Sequence, residues 1–340
     1  MFAATASGLG RLARQELADI PAVTVGDLGS DGRSDIVLFD AAPAHAADPL
    51  TARLSEDVFV EVGRTLRSDG DRAQWIARRL WRPQRVQQAL ANLRTARRLG
   101  RGSVTFRVIV RVLQERSFPR TELRRHLTQA VAHDQPTWRV DDPAQLEIWV
   151  VEYSHGRFLA GLRLSDATMR QHGGRSVERT GALRPAVAAA MVRLAGSPDG
   201  VLLDPCCGSG TILTEAIEQG WTATGSDIDR EAVRAAGHNV PRATVSHADA
   251  RSLDLPAGSV SACVSNLPFG RQFDVDEDMT TWLTTVLGEI SRVTRPGGRV
   301  VLLAPKLPRS TLPPQLHLER RHPVRVLGTP ATIWTCVRSG

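Results

Sequence analysis

The stretch Val201-Leu-Leu-Asp-Pro-Cys-Cys-Gly-Ser-Gly-Thr211 decides the fold. An apolar run ends in an acid, and Gly208-Ser209-Gly210 then turns the chain into a helical pattern over 211–219. Glycines at the C-terminal end of a strand let the backbone approach a ligand closely. The spacing is neither G-x-G-x-x-G nor a lysine-bearing phosphate loop, so it argues against dinucleotide and P-loop readings.

Outward from this stretch the pattern alternates. Strands are expected at 201–203, 222–226, 244–246, 260–265 and 299–304, and helices at 211–219, 230–238 and 280–293. This is the rhythm of a doubly wound parallel sheet, an α/β architecture. A helix over 185–195 precedes it, and 315–321 with 332–338 are expected to add an antiparallel edge pair. Three acids fall at expected strand ends: Asp204, Asp227 and Asp249. Each alone is more often a cap or turn residue. Together, at one sheet edge, they outline a nucleoside pocket, because an acid at such a place accepts hydrogen bonds from ribose hydroxyls. The expected pocket takes Asp204, Pro205, Gly208, Ser209, Gly210 and Thr211 from the first turn. The second strand end adds Asp227 and Ile228, and the third Asp249 and Ala250.

The first half reads differently. Short strands are expected at 1–5, 23–25, 35–39 and 58–64, with a helix at 11–18, a Gly-rich turn at 29–32 and a loop at 41–52. Helices at 72–80 and 85–99 follow. A strand at 103–113, a helix at 120–132 capped by Thr121, and a hairpin 146–153/157–164 through Ser154-His155-Gly156 then suggest a small α+β module. The polar run 165–182 reads as a linker.

Length and charge bound the function. A chain of 340 residues suits about two domains. Its longest apolar runs fall far short of the roughly 20 residues of a membrane span. The opening MFAATASGLGRLARQEL has no basic segment followed by an apolar core, so no signal peptide is expected. The four cysteines, 206, 207, 263 and 336, make a poor metal or disulfide framework. A reduced, cytoplasmic location and no metal are therefore expected. Basic residues number 43 against 36 acidic, net +7, and every basic residue except Lys306 is arginine. Within 64–125 there are 17 arginines against Asp69, Asp71, Glu115 and Glu122. Such an excess fits either a polyanion-binding surface or a set of solvated helix faces. Cys206 and Cys207 lack a paired base and read as packing residues. Trp75, Trp81 and Trp138 fit core packing better than base stacking.

The fourth expected strand ends in Ser265-Asn-Leu-Pro-Phe-Gly270. D-P-x-x-G-S-G-T followed by N-x-P-F-G resembles the S-adenosylmethionine-dependent amino-methyltransferases. The resemblance implies a Rossmann-like catalytic domain, S-adenosylmethionine as cofactor and no metal. It implies that Asn266 and the carbonyl of Leu267 accept the two N–H groups of an exocyclic amine, with Asn266 also bordering the cofactor. Pro268 would hold the turn, and Phe269 would offer a stacking face. Leu267 stands where the commoner motif has a second proline.

N-L-P-F-G, with Met1–Glu16, the order of elements over 105–164 and Arg179-Thr-Gly-Ala-Leu-Arg-Pro-Ala-Val-Ala-Ala-Ala190, resembles one subgroup. It is the THUMP-domain RNA methyltransferases, closest to the tRNA (guanine-N2)-methyltransferases. That resemblance implies a ferredoxin-like segment at 1–60, a THUMP-like RNA-binding domain at 61–165, a linker at 166–183 and a methyltransferase domain at 184–340. It implies a tRNA partner, a monomer, and transfer to N2 of an acceptor-stem guanosine of the position 6 type. Methylation of ribosomal RNA guanine and a catalytically decayed RNA-binding protein are the alternatives.

Overall fold

The structure, a computed structural model, describes residues 1–66, 72–97, 103–113, 117–172, 182–268, 279–326 and 328–340. Two compact units divide it, Met1–Arg170 and Gln171–Gly340.

In the first unit, strand β1 (Phe2–Ala6) is buried along its whole length, because it sits inside a sheet with neighbours on both edges. Helix α1 (Gly10–Ala18) follows, then β2 (Val23–Ser30), β3 (Ser34–Ala41) and β4 (Asp57–Arg64). The loop expected at 41–52 contains two short 3-10 turns, Pro43–His45 and Asp48–Thr51. Strand β2 runs to Ser30, past the expected end at 25 and into the glycines assigned to a turn. A register shift between Val25 and Leu28 absorbs Gly26.

Helices α2 (Ala73–Leu80) and α3 (Pro83–Ala96) come next. They are followed by β5 (Thr105–Arg111), α4 (Arg120–Asp134), the two-residue β6 (Arg139–Val140), β7 (Leu146–Ser154), β8 (Arg157–Arg163) and the short α5 (Ala167–Gln171). Thr121 does not cap α4: Pro119, extended at φ −72° and ψ 147°, holds that place, and no side chain caps the helix. The eight strands form one sheet in the order β2-β3-β1-β4-β8-β7-β5-β6. Alternating burial on β5 places Phe106, Val108 and Val110 against α4 through Leu123, Leu127 and Val131. Trp81 is buried, with Nε1 donating to Asp134 Oδ2 at 3.1 Å, and Trp138 lies against Phe106 at 6.1 Å between ring centres. Trp75 differs: it is half exposed, with the Arg72 guanidinium 5.0 Å above its ring.

The second unit opens with α6 (Pro185–Leu194), which carries a run of seven buried residues. Then follow β9 (Val201–Asp204), α7 (Thr211–Glu218), β10 (Thr222–Asp227), α8 (Arg230–Asn239), β11 (Thr244–His247), β12 (Val260–Asn266), α9 (Met279–Val293), β13 (Thr294–Ala304), β14 (Leu316–Val326) and β15 (Thr329–Arg338). The sheet order is β11-β10-β9-β12-β13-β15-β14. The first five strands are parallel, and β15 and β14 close the far side antiparallel. This is the expected doubly wound sheet. The pair expected at the edge is present, but only β14 is the edge, since β15 lies inside against β13. From β9 the chain winds one way to β10 and β11, then returns to place β12 on the other side of β9. Ligands of such sheets bind at this switch point, beyond the carboxyl ends of the strands. No helix among the described residues is long and apolar enough to cross a membrane.

Candidate active site

Asp204 ends β9, and Asn266 ends its neighbour β12. Register Cys263↔Leu203 in a parallel pair brings both strand ends to the same sheet edge. A side-chain bond joins them, because Ser265 Oγ donates to Asp204 Oδ1 at 2.7 Å. The Cys206 backbone N–H donates to the same oxygen at 3.1 Å. Asp204 is fully buried, and burial raises its carboxyl from 3.8 to about 7 despite those two bonds. The charge of Asp227 pushes in the same direction.

The glycine turn is fastened on its far side by β10. Gly208 N–H donates to Asp227 Oδ2 at 2.8 Å, and Cys207 N–H to the Ser226 carbonyl at 2.9 Å. Asn239 Nδ2 on α8 donates to the Ser209 carbonyl at 3.0 Å. Gly210, at φ +90°, caps α7; a Cβ there would lie 2.8 Å from Val240 Cγ2. Gly208 is also left-handed, at φ +52°, but a Cβ there would meet nothing within 4 Å. The turn therefore has an open front, and the positive end of α7 stands behind it.

The other expected pocket residues divide. Asp227 is at the turn, and Ile228 beside it is 64 % exposed, an apolar face left bare at the strand end. Asp249 follows β11 as expected, but Arg251, two residues on, holds its carboxylate at 2.7 Å. That pairing keeps the Asp249 carboxyl below its ordinary value. Ala250 is buried behind it. Asn266 Oδ1 is buried and, like Ser226 Oγ on β10, has no hydrogen-bond partner among the described residues. Leu267 is buried, Pro268 is partly exposed, and Phe269 lies outside the described residues. Cys206 and Cys207 have thiols pushed well up by burial and then by Asp204, which disfavours a thiolate nucleophile.

Two residues of this site had no assigned role in the sequence. Ser265 stands inside the quoted S-N-L-P-F-G motif, and its position before Asn266 was the available signal. Asn239 offered none, because α8 brings it to Ser209 only in the folded chain.

In the first unit the arginine-rich segment is partly spent on internal pairs. Arg64 and Arg85 bind Glu61 at 2.5 and 2.9 Å, and Arg107 binds Asp142 at 2.5 Å. A cleft of about 710 Å³ between β5, β6 and α4 is lined by Arg107, Arg120, Thr121 and Arg124 among others.

Residues 172–312 match the profile described as RMKL-like, methyltransferase domain. Over that span the chain is similar to RMKL-like methyltransferase domains. Among curated proteins, this chain is 34 % identical over 139 residues to the U6 snRNA (guanine-N(2))-methyltransferase THUMPD2 of Mus musculus, covering 38 % of this chain and 25 % of that protein. It is 28 % identical over 216 residues to the tRNA (guanine(6)-N(2))-methyltransferase THUMP3 of Bos taurus, covering 56 % of this chain and 41 % of that one. The chain thus spans a quarter to two-fifths of the length of these relatives. Among solved structures, TrmN from Thermus thermophilus superposes with a TM-score of 0.77 over 99 % of this chain and 98 % of its own, at 24 % identity. That likeness establishes the fold along both units.

The observed residues fit S-adenosylmethionine, the cofactor that the sequence motifs imply. Asp204 and Asp227 form an acidic corner with no basic side chain paired to either among the described residues, which suits a cationic cofactor. The open front of Gly208 gives room for close approach, and the bare Ile228 offers an apolar face for a ring.

Proposed function

We propose that the chain transfers a methyl group from S-adenosylmethionine to the exocyclic N2 of a guanosine in RNA, tRNA by preference and an acceptor-stem position of the position 6 type. One observation carries this reading: a buried amide oxygen, Asn266 Oδ1, without a donor among the described residues, on the sheet edge that also holds the glycine turn. A buried acceptor left unmade costs roughly 1–3 kcal/mol, so it calls for an incoming donor. An exocyclic amine supplies one. Its lone pair is delocalised into the ring, and an acceptor for each N–H favours the pyramidal, nucleophilic form. Asn266 Oδ1 accepts one N–H and the Leu267 carbonyl the other; Pro268 holds the turn, and Phe269 stacks on the base.

S-adenosylmethionine, when bound, supplies an electrophilic methyl on a sulfonium. Asp204 and Asp227 hold the cofactor's polar groups, with Pro205, Gly208, Ser209, Gly210 and Thr211 shaping the cradle. Ile228, Asp249 and Ala250 border its nucleoside end. Rate then comes from positioning rather than from covalent chemistry.

Support for tRNA comes from the span of similarity. The relative named for tRNA matches over 216 residues, more than the 139 matched by the relative named for U6 snRNA. In this proposal 1–60 is a ferredoxin-like segment, 61–165 a THUMP-like RNA-binding domain, 166–183 a linker and 184–340 the methyltransferase domain. The protein works as a cytoplasmic monomer. The cleft at Arg120 and Arg124 and the exposed Trp75 with Arg72 are the N-terminal surfaces suited to RNA.

The test is to incubate the chain and labelled methyl donor with total tRNA, digest to nucleosides and identify the product. N2-methylguanosine is expected. Asn266→Ala should lower the rate by on the order of 10³, with RNA affinity kept. Wild-type turnover in that variant refutes the role given to Asn266.

A further inference from the structure

The cationic excess in the sequence lies at 64–125, yet a second basic surface borders the catalytic sheet itself. Between Lys306 and Arg338 there are six basic residues and one acid, Glu319. Glu319 faces Arg299 at 3.5 Å. Lys306, Arg309, Arg320, Arg321 and Arg325 are all exposed, and none has a carboxylate partner among the described residues.

The register shows where they stand. Asn266 pairs with Leu303 on β13, Leu302 with Trp334 on β15, and Trp334 with Arg321 on β14. Arg321 is therefore level with Ser265, three strands away, about 14 Å at the usual strand spacing. Arg325 lies four residues further along the same parallel direction, past the level of Asn266. Strand alternation puts Arg321, Pro323 and Arg325 on the face of Trp334, which belongs to the core beneath α9. Arg309 sits on a 3-10 turn, Arg309–Thr311, that packs on α9. The Arg321 guanidinium lies 5.8 Å from the Trp334 ring centre, and Trp334 Nε1 is anchored to the Ala304 carbonyl at 3.1 Å. A guanidinium held over an indole keeps its N–H fork directed outward, the geometry that takes a phosphate bidentately.

We propose that Arg321 and Arg325, with Lys306 and Arg309 beside them, form a phosphate track. It holds the RNA strand flanking the target base as that base enters the site at Asn266. The inference rests on the reading that the substrate is RNA. An acidic protein partner would also meet a basic surface. Alignment with Asn266 along this edge, Arg321 held over Trp334 and Arg325 four residues beyond it on the same strand face, its Nη1 3.4 Å from the Gly328 carbonyl, favour a polyphosphate strand.

The test uses the full chain and an unmodified tRNA transcript. Binding is measured across a salt series for the wild type, for Arg321→Gln/Arg325→Gln and for Lys306→Gln/Arg309→Gln, with cofactor affinity by calorimetry as the control for folding. Each lost phosphate contact should flatten the slope of log K against log[salt] by about 0.9 and weaken binding by about tenfold at 0.1 M salt. Cofactor affinity should stay at the wild-type value. Wild-type slope and affinity in both double variants would overturn the track and assign the surface to another acidic partner. A wild type that does not bind the transcript overturns it as well. If the wild type binds the transcript but methylates no guanine, while the variants lose slope, the track stands and the catalytic reading falls.

Discussion

Buried acids meet opposite surroundings in the sheet of the first unit and at the glycine-turn edge of the second. In the first, buried acids are saturated. Asp57 Oδ1 takes Arg163 at 2.7 Å, and its Oδ2 takes Arg170 Nε at 3.0 Å. Glu147 receives Arg107, Arg163 and Trp149 Nε1. Burial disfavours the charged Glu147, yet the bonds from Trp149 and Arg107 and the charge of Arg163 hold its carboxyl below the ordinary value. In the second unit, the edge at the glycine turn leaves Asp204 and Asp227 without a cation and Asn266 Oδ1 without a donor among the described residues. Satisfied polar groups hold a fold together, whereas groups left in want at a sheet edge mark where something else binds.

That contrast breaks first at Asp57. Its side chain is 4 % exposed, and its removal takes the carboxylate from Arg170 and leaves the largely buried Arg163 with Glu147 alone. Asp57→Ala should cost about 3–5 kcal/mol, the usual penalty for halving a buried pair. Amide exchange should accelerate in β4 and β8 and stay unchanged in β9 and β12. Unchanged protection of β4 and β8 would show that the lattice of pairs contributes little.

At Asp204 the sign reverses. Its folded carboxyl is raised from 3.8 to about 7, so the folded state binds the extra proton between those values. Stability should therefore fall as pH rises from about 4 to 7 and level off above. Asp204→Asn keeps an oxygen for Ser265 Oγ and the Cys206 N–H but cannot ionise. It should stabilise the unit at pH 8 by up to about 4 kcal/mol, with little gain at pH 4, as read by denaturant midpoints. Cofactor affinity of the wild type should tighten between pH 6 and 8 as the carboxylate forms, and that dependence should vanish in the variant. A gain equal at both pH values would mean that Asp204 is ionised throughout.

Such contrasts were only partly legible in the sequence. Val201–Thr211 announces strand, glycine turn and helix because those signals are local, and Ser265–Gly270 places Asn266 at a strand end for the same reason. The bond from Ser265 to Asp204 spans 61 positions, and only β12 lying beside β9 creates it. At Asp249 the sequence placed the acid after β11, but not the ion pair that Arg251, two residues on, makes with it. The basic edge on β14 was hidden for a third reason. The charge of residues 181–340 sums to +1, and an average over a domain erases a surface that one edge strand concentrates. Thr121 failed as a cap because a proline two residues earlier already fixes an extended entry to α4.

The smallest effects sharpen the comparison within the glycine-turn edge itself, at two glycines separated by Ser209. Both Gly208 and Gly210 have positive φ, so alanine at either costs about 1–2 kcal/mol of left-handed strain. They differ in what surrounds them. At Gly210 the added methyl presses on Val240 Cγ2 at 2.8 Å and on Ala236 Cα at 3.4 Å, inside the packing of α7 on α8. At Gly208 it projects into open space. Gly210→Ala should therefore lose about 1–3 kcal/mol more stability, the range for an overfilled core. Gly208→Ala should lose more cofactor affinity, because its methyl occupies the front of the cradle. Chemical denaturation with cofactor calorimetry on both variants separates the two terms. If Gly208→Ala binds cofactor as the wild type does, the open front of the turn is not where the cofactor lies.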